Sequence, residues 1–262
     1  MVRFPVVKVI VVGCSGRMGA EVCRLIAEQA DVELVGGIEA NGNASIGAKL
    51  GSGVVGPDLG AMVNNCDVVV DFSTPEATVA NCRVAAFADR SFITGVTGLS
   101  ATQTSELLKC GEQIPVIHAP NFSVGVSVLG ALVAEAARRL GPDYDVEVIE
   151  THHRMKKDAP SGTAVRLVDI LKAGAGQASV VHGRQGKVGE KPKGEIGVSS
   201  IRTGGVVGEH TVVFGCAGER LELTHKAESR AAFATGVVAA VRFLKGRRPG
   251  FYTIEDVLAS PR

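Results

Sequence analysis

The sequence has no tryptophan, and aromatic residues make up only 4% of its 262 positions. Stacking platforms for single-stranded nucleic acid need more than that. An excess of one charge is also missing: 28 Lys and Arg stand against 27 Asp and Glu, for a net charge of +1. So small a net charge draws a chain neither to nucleic acid nor to an acidic membrane. Cysteine is sparse for the length. Cys14, Cys23, Cys66, Cys82, Cys110 and Cys216 form no CxxC pair, and no His lies at ligand spacing from them. They read as free thiols in a reducing, cytoplasmic compartment, with no metal site. Long hydrophobic runs are absent too. The stretch from Gln113 to Ala134 carries no Asp, Glu, Lys or Arg, but Pro115, Pro120, Asn121 and Ser123 break it. That excludes a membrane span by pattern. The apolar run Val6–Val12 is interrupted by Lys8 and leads to a Gly-rich turn rather than a cleavage site, so no signal peptide is expected.

What remains is a globular composition, 45% hydrophobic and 21% charged. A chain of this size fills a complete core and tends to divide into two domains. Glycine is the abundant residue: its 33 positions are nearly twice the usual ~7%. The glycines stand singly or in pairs, many where a strand ends and a tight turn is needed.

Up to residue 123 strand and helix patterns alternate. Strands are expected at Val6–Val12, Val32–Ile38, Asp67–Phe72, Phe92–Thr97 and Pro115–Ala119, and helices at Met18–Ala30, Pro75–Ala88 and Ser100–Cys110. Right-handed βαβ units and a parallel sheet follow from that order. Residues 41–63 read as loops with a short helix. Later the pattern changes: a helix at Val124–Leu140, a strand at Asp145–Thr151, a helix at Ser161–Ala173, a polar loop at 174–194, and strands at Glu195–Arg202, His210–Phe214 and Glu219–His225. These imply a mixed or antiparallel second sheet. A helix at Ala231–Leu244 and an element at Thr253–Leu258 close the chain. The fold class expected is α/β: a Rossmann-like parallel-sheet nucleotide domain with a second, α+β domain built on a mixed sheet.

Gly13-Cys14-Ser15-Gly16-Arg17-Met18-Gly19 follows the first strand and opens the first helix. In that position glycines let a pyrophosphate approach the backbone, and the helix start offers free N–H groups. The spacing is GxxGxxG, weaker as a fingerprint than GxGxxG. It is supported by Glu39, which ends the second strand about twenty residues on, where an acid receives ribose hydroxyls. A tight βα turn with no ligand is the alternative. Phe72–Pro75, Gly95-Val96-Thr97-Gly98 and Ala119-Pro120-Asn121-Phe122 end the next three strands, on the edge where such sheets bind ligands.

The densest chemistry lies in Glu150-Thr-His152-His153-Arg-Met-Lys156-Lys-Asp-Ala-Pro-Ser161-Gly162-Thr163. Two His, one Arg and two Lys fall within His152–Lys157, just before a predicted helix start. A solvated basic face is the plain reading. The chemical one is a clamp for small carboxylates beside groups that donate protons near neutral pH. His118 and His225 read as structural, and His182 and His210 receive no role.

ETHHRMKKDAPSGTA, with GCSGRMG, DFSTPEA, ITGVTG and APNFSVGV, strongly resembles the 4-hydroxy-tetrahydrodipicolinate reductase (dihydrodipicolinate reductase) family of the diaminopimelate and lysine pathway, over essentially the whole chain. The resemblance implies reduction of a cyclic imine-like dicarboxylate by NADH or NADPH. It implies His152 and Lys156 as the catalytic proton donors, and His153, Ser161, Gly162 and Thr163 as substrate-binding residues. It places the cofactor on Gly13, Cys14, Ser15, Gly16, Arg17, Met18, Glu39, Gly95, Val96, Thr97, Ala119, Pro120, Asn121 and Phe122. It also implies a homotetramer and a division into residues 1–123 plus 231–262 for the dinucleotide and 124–230 for substrate and oligomerisation. Ala40 stands where several relatives carry an Arg for the 2′-phosphate, so NADH is expected to serve at least as well as NADPH. Met155 replaces a His of some relatives. Two other readings stay open from the residues: another NAD-dependent amino or imino acid dehydrogenase, and a non-enzymatic nucleotide sensor.

Overall fold

The computed structural model describes residues 6–175 and 179–260. Its chain divides into two compact units, one ending at Ser123 and resuming at Phe233, the other Val124–Ala232.

The first unit is built on a sheet of β1 (Val7–Val12), β2 (Val32–Ile38), β3 (Lys49–Leu50), β4 (Gly53–Gly56), β5 (Val68–Asp71), β6 (Ser91–Thr94), β7 (Pro115–His118) and, from the chain's end, β13 (Gly250–Tyr252). Their order is β13-β7-β6-β5-β1-β2-β4-β3, parallel throughout except for the β3–β4 pair. Alternation along β1 sends Val7, Val9 and Val11 to one face and Ile10 and Val12 to the other. The first face is covered by α1 (Arg17–Ala27), whose Val22, Cys23 and Ile26 recur at helical spacing, and by α7 (Ala231–Leu244) through Val237, Val238 and Val241. The second is covered by α2 (Leu59–Met62), α3 (Pro75–Phe87) and α4 (Ala101–Gly111). Each fully buried Val or Ile there contributes about 1.5–3 kcal/mol.

The second unit holds a mixed sheet in the order β12-β11-β8-β10-β9: β8 (Asp145–His152), β9 (Ser179–His182), β10 (Glu195–Arg202), β11 (Gly208–Gly215) and β12 (Arg220–Ala227). Strands β8, β9 and β10 are parallel, and β11 runs antiparallel to β8 and β12. Helices α5 (Val124–Leu140) and α6 (Gly162–Ala175) cover one face through Leu129, Val133, Leu167 and Leu171. A short α8 (Ile254–Ala259) belongs to the first unit, where Ile254 and Val257 join the core under α1 and α7.

The expected strands and helices are present with shifted ends. Two short pieces lie where loops were expected, the β3–β4 hairpin within 41–63 and β9 within 174–194, and β13 lies in a stretch to which no element was assigned. Among the described residues no helix is long and apolar enough to cross a membrane.

Candidate active site

The parallel sheet aligns its carboxyl ends to within one residue. Ile38, Val12, Asp71, Thr94 and His118 are successive partners across five strands. The next residue of each strand is tied to its neighbour: Gly13 N–H donates to Ile38 O at 2.9 Å, Phe72 N–H to Val12 O at 3.0 Å, Gly95 N–H to Asp71 O at 3.1 Å, and Ala119 N–H to Thr94 O at 3.1 Å. The four segments singled out in the sequence therefore leave the sheet at one level, on either side of the β1–β5 point where the strand order reverses.

At β1 the backbone turns through Gly13, whose φ is +73°. A Cβ on Gly19 would lie 2.0 Å from Gly13 O, so only glycine lets α1 start this close to the strand. Thr74 caps α3 and Ser100 caps α4 with side-chain oxygens, whereas α1 has Gly16 at its N-cap and no side-chain acceptor. Its exposed first turn is left open to an anion from outside. Glu39 lies over the same turn. Its Oε1 accepts from Ser15 N–H at 2.7 Å and Ser15 Oγ at 2.5 Å, and its Oε2 from Asn43 Nδ2 at 3.1 Å. Ala40, next to it in sequence, and Arg17, the first residue of α1, are exposed. The side chains of Cys14, Val96, Ala119 and Phe122 are buried, so these positions offer a ligand their backbone only. Burial, reinforced by Glu39, pushes the Cys14 thiol up to about 11. Glycine turn, uncapped helix and acid together fit a dinucleotide.

Beneath these strand ends Asp71 is fully buried. It accepts from Ser73 N–H at 2.9 Å and from the Thr78 hydroxyl, and burial raises its pKa. It pins the Phe72–Pro75 turn to α3. Nothing in the sequence marked it beyond its place in DFSTPEA.

In the second unit β8 presents Val146, Val148, Glu150 and His152 on one buried face. The first two enter the core, and the last two form the site. Glu150 has no exposure and His152 is 9% exposed. Across β8 the register sets His210 of β11 opposite Glu150, and Arg202 of β10 opposite His152. Glu150 accepts from His152 Nδ1 at 2.5 Å, from Arg202 through two N–H groups at 2.8 Å each, and from Ser161 N–H at 3.2 Å. Burial alone would raise the Glu150 carboxyl. Hydrogen bonds from Arg202, His152 and Ser200 outweigh it and bring it to about 2. Burial lowers the pKa of His152, Glu150 partly opposing that. His210 packs edge-on against His152 with ring centroids 5.1 Å apart, and its Nε2 is 2.9 Å from Ser161 Oγ. Ser161 Oγ also accepts from Ala164 N–H at 3.2 Å, which caps α6. Thr163 is 8% exposed on the first turn of α6. Lys156 Nζ pairs with Asp158 Oδ2 at 2.8 Å, and its N–H donates to His153 O at 3.0 Å.

The expected cluster of His152, His153, Lys156, Ser161, Gly162 and Thr163 thus falls on the end of β8, the loop after it and the start of α6. Sequence reading missed three neighbours: Arg202, His210 and the side-chain role of Glu150. Glu150 and His152 at i and i+2 of a predicted strand were the available signal for the last of these.

The dihydrodipicolinate reductase family matches the chain twice, its N-terminal region over residues 7–122 and its C-terminal region over 125–258. A 4-hydroxy-tetrahydrodipicolinate reductase of Myxococcus xanthus is 41% identical over 268 residues, covering 98% of this chain and 99% of the relative. The enzyme of that name from Syntrophus aciditrophicus is 41% identical over 262 residues, covering 96% and 98%. Among solved structures, a dipicolinate-bound dihydrodipicolinate reductase from Paenisporosarcina sp. TG-14 superposes with a TM-score of 0.78 at 23% identity, over 95% of this chain and 97% of that one, a likeness of fold. With both regions of the family matched and relatives above 40% identity along its whole length, the chain belongs to the dihydrodipicolinate reductase family of oxidoreductases.

Proposed function

We propose that this chain reduces 4-hydroxy-tetrahydrodipicolinate to tetrahydrodipicolinate in diaminopimelate and lysine biosynthesis, with residues 1–123 and 231–262 holding the nucleotide and 124–230 the substrate. The carrying observation is the buried polar end of β8, where His152 stands on Glu150 beside Lys156 and the start of α6. Whole-chain relatives named for that activity support this reading over the two alternatives.

NADH or NADPH supplies the hydride when bound. Gly13–Met18 receive the pyrophosphate, Glu39 the ribose hydroxyls, and Gly95–Thr97 and Ala119–Phe122 the rest of the nucleotide. A carboxylate at Glu39 favours a 2′-hydroxyl over a 2′-phosphate, and Ala40 offers no cation in compensation, so NADH serves at least as well as NADPH. Ser161, Gly162, Thr163 and His153 hold the substrate carboxylates at the helix start. His152 gives up a proton as the reduced ring gathers charge, and Lys156 is the second donor. Lys156 holds Asp158 below the usual carboxylate range despite burial, so their pairing persists at neutral pH.

Free thiols suit a cytoplasmic enzyme. The face of the second sheet opposite α5 and α6 carries half-buried Ile149, Thr211 and Val213 and exposed Ile201. That face fits the joining surface of a homotetramer.

The test is a coupled assay in which the preceding synthase makes the substrate from pyruvate and aspartate semialdehyde, followed by NADH consumption. A parallel titration uses pyridine-2,6-dicarboxylate. Turnover with micromolar to millimolar dicarboxylate binding is the expected result. Binding of neither substrate nor analogue, with NADH still bound, overturns the reading in favour of a nucleotide sensor.

A further inference from the structure

A carboxylate without exposure is costly unless every lone pair is used. Glu150 meets that condition with four N–H donors, from His152, Arg202 twice and Ser161, and with the side chain of Ser200, its register partner on β10. An ionised carboxylate has about four acceptor sites, so none is left for a substrate. Since the carboxylate only accepts, His152 must place a hydrogen on Nδ1. The other ring nitrogen faces Gly208 of β11, where an added Cβ would stand 3.1 Å from Nε2 and 3.4 Å from Cδ2. A hydrogen in place of a side chain keeps that flank of Nε2 clear.

Resting on the reading that His152 is a proton donor, we propose that Glu150 is a positioning residue. Its carboxylate holds His152 Nδ1–H and so assigns proton exchange to Nε2, while Arg202, shared on the same carboxylate, limits how basic the imidazole becomes. The groups facing His152 are Glu150 on β8, Arg202 on β10, His210 on β11 and Lys156 on the following loop. Of these only Glu150 favours the imidazolium. Its removal and that of Arg202 should therefore act with opposite sign.

The experiment is a nitrogen-detected NMR titration of His152 in the full-length protein, without substrate or cofactor, for wild type, Glu150→Gln and Arg202→Met. The neutral wild-type ring should carry its hydrogen on Nδ1. The His152 midpoint should fall by about one pH unit in Glu150→Gln and rise in Arg202→Met. The alkaline limb of kcat should follow the same two directions, since activity is lost as the donor deprotonates. Damage to the fold alone moves neither midpoint in a paired fashion. A wild-type ring with its hydrogen on Nε2, or midpoints that stay put or move together, overturns the proposal. Should Glu150→Gln not fold, the wild-type tautomer and Arg202→Met decide alone. The titration involves no turnover, so it can fail while the reaction assignment stands. Conversely, kcat retained by His152→Ala overturns that assignment and leaves the titration unchanged.

Discussion

Acid should weaken this protein through His210. That imidazole is 3% exposed and its Nδ1 has no hydrogen-bond partner. Burial, and after it the neighbouring His152, push its pKa from 6.5 down to about 3. Below pH 6.5 the unfolded chain takes up a proton that the folded chain refuses until about pH 3. The unfolded state binds more protons throughout that window, so stability is fully present above pH 6.5 and is lost as the pH falls. A pH unit is worth about 1.4 kcal/mol once the unfolded imidazole is protonated, so this one group withdraws about 2 kcal/mol between pH 7.5 and 5. That is a large part of a total of about 5–15 kcal/mol. His210→Gln keeps an amide within reach of Ser161 Oγ and removes the titration. Urea unfolding of both proteins at pH 7.5, 6.5 and 5 gives their stability difference at each pH. The variant should gain about 2 kcal/mol relative to wild type on going from pH 7.5 to 5, whatever constant offset the substitution brings. A difference that does not change with pH would refute the linkage.

His152→Ala and Lys156→Ala should each lower kcat by about 10²–10⁴-fold while the KM for NADH changes little, as steady-state kinetics will tell. Thr163→Val should weaken pyridine-2,6-dicarboxylate binding by about 1.5–3 kcal/mol in calorimetry and leave NADH affinity near wild type; an equal loss for both ligands would remove Thr163 from the substrate site. Gly19→Ala puts a Cβ 2.0 Å from Gly13 O, so NADH affinity should fall by at least about tenfold while the dicarboxylate still binds. Ala40→Arg should shift the kcat/KM ratio towards NADPH by about ten- to a hundredfold, and an unchanged ratio would mean that another residue reads the 2′ position.

The first unit was legible because its strands are buried on both faces. Val7–Val12 and Val68–Asp71 are almost continuous β-branched runs, and α1 repeats its apolar residues at helical spacing. What escaped was short and paired at a distance. Lys49–Leu50 and Gly53–Gly56 are two- and four-residue strands around Gly51-Ser52, too brief for any period to stand out. Ser179–His182 becomes a strand only because β10 offers it an edge, and Gly250–Tyr252 because β7 does. The site divides in the same way. His152, Lys156 and Ser161–Thr163 are neighbours in sequence and announced themselves. Arg202 reaches Glu150 across 52 residues, and His210 reaches Ser161 across 49. No local spacing encodes those meetings; the β10-β8-β11 pairing creates them.

That pairing also explains why one strand serves both core and chemistry. Val146 and Val148 are wedged against α5 and α6, which fixes the face that β8 turns inward. Because side chains alternate with period two, the same choice carries Glu150 and His152 inward. A one-residue slip would send all four to the opposite face, where Glu147 and Ile149 now lie. The apolar half of the strand supplies the energy that resists the slip. The polar half adds little net stability, since the attraction between Glu150, Arg202 and His152 is largely spent on taking their charges out of water. The function of the buried carboxylate is therefore geometric. It sits on a register enforced by valines, is saturated by donors from His152, Arg202, Ser161 and Ser200, and leaves His152 a single nitrogen with which to act.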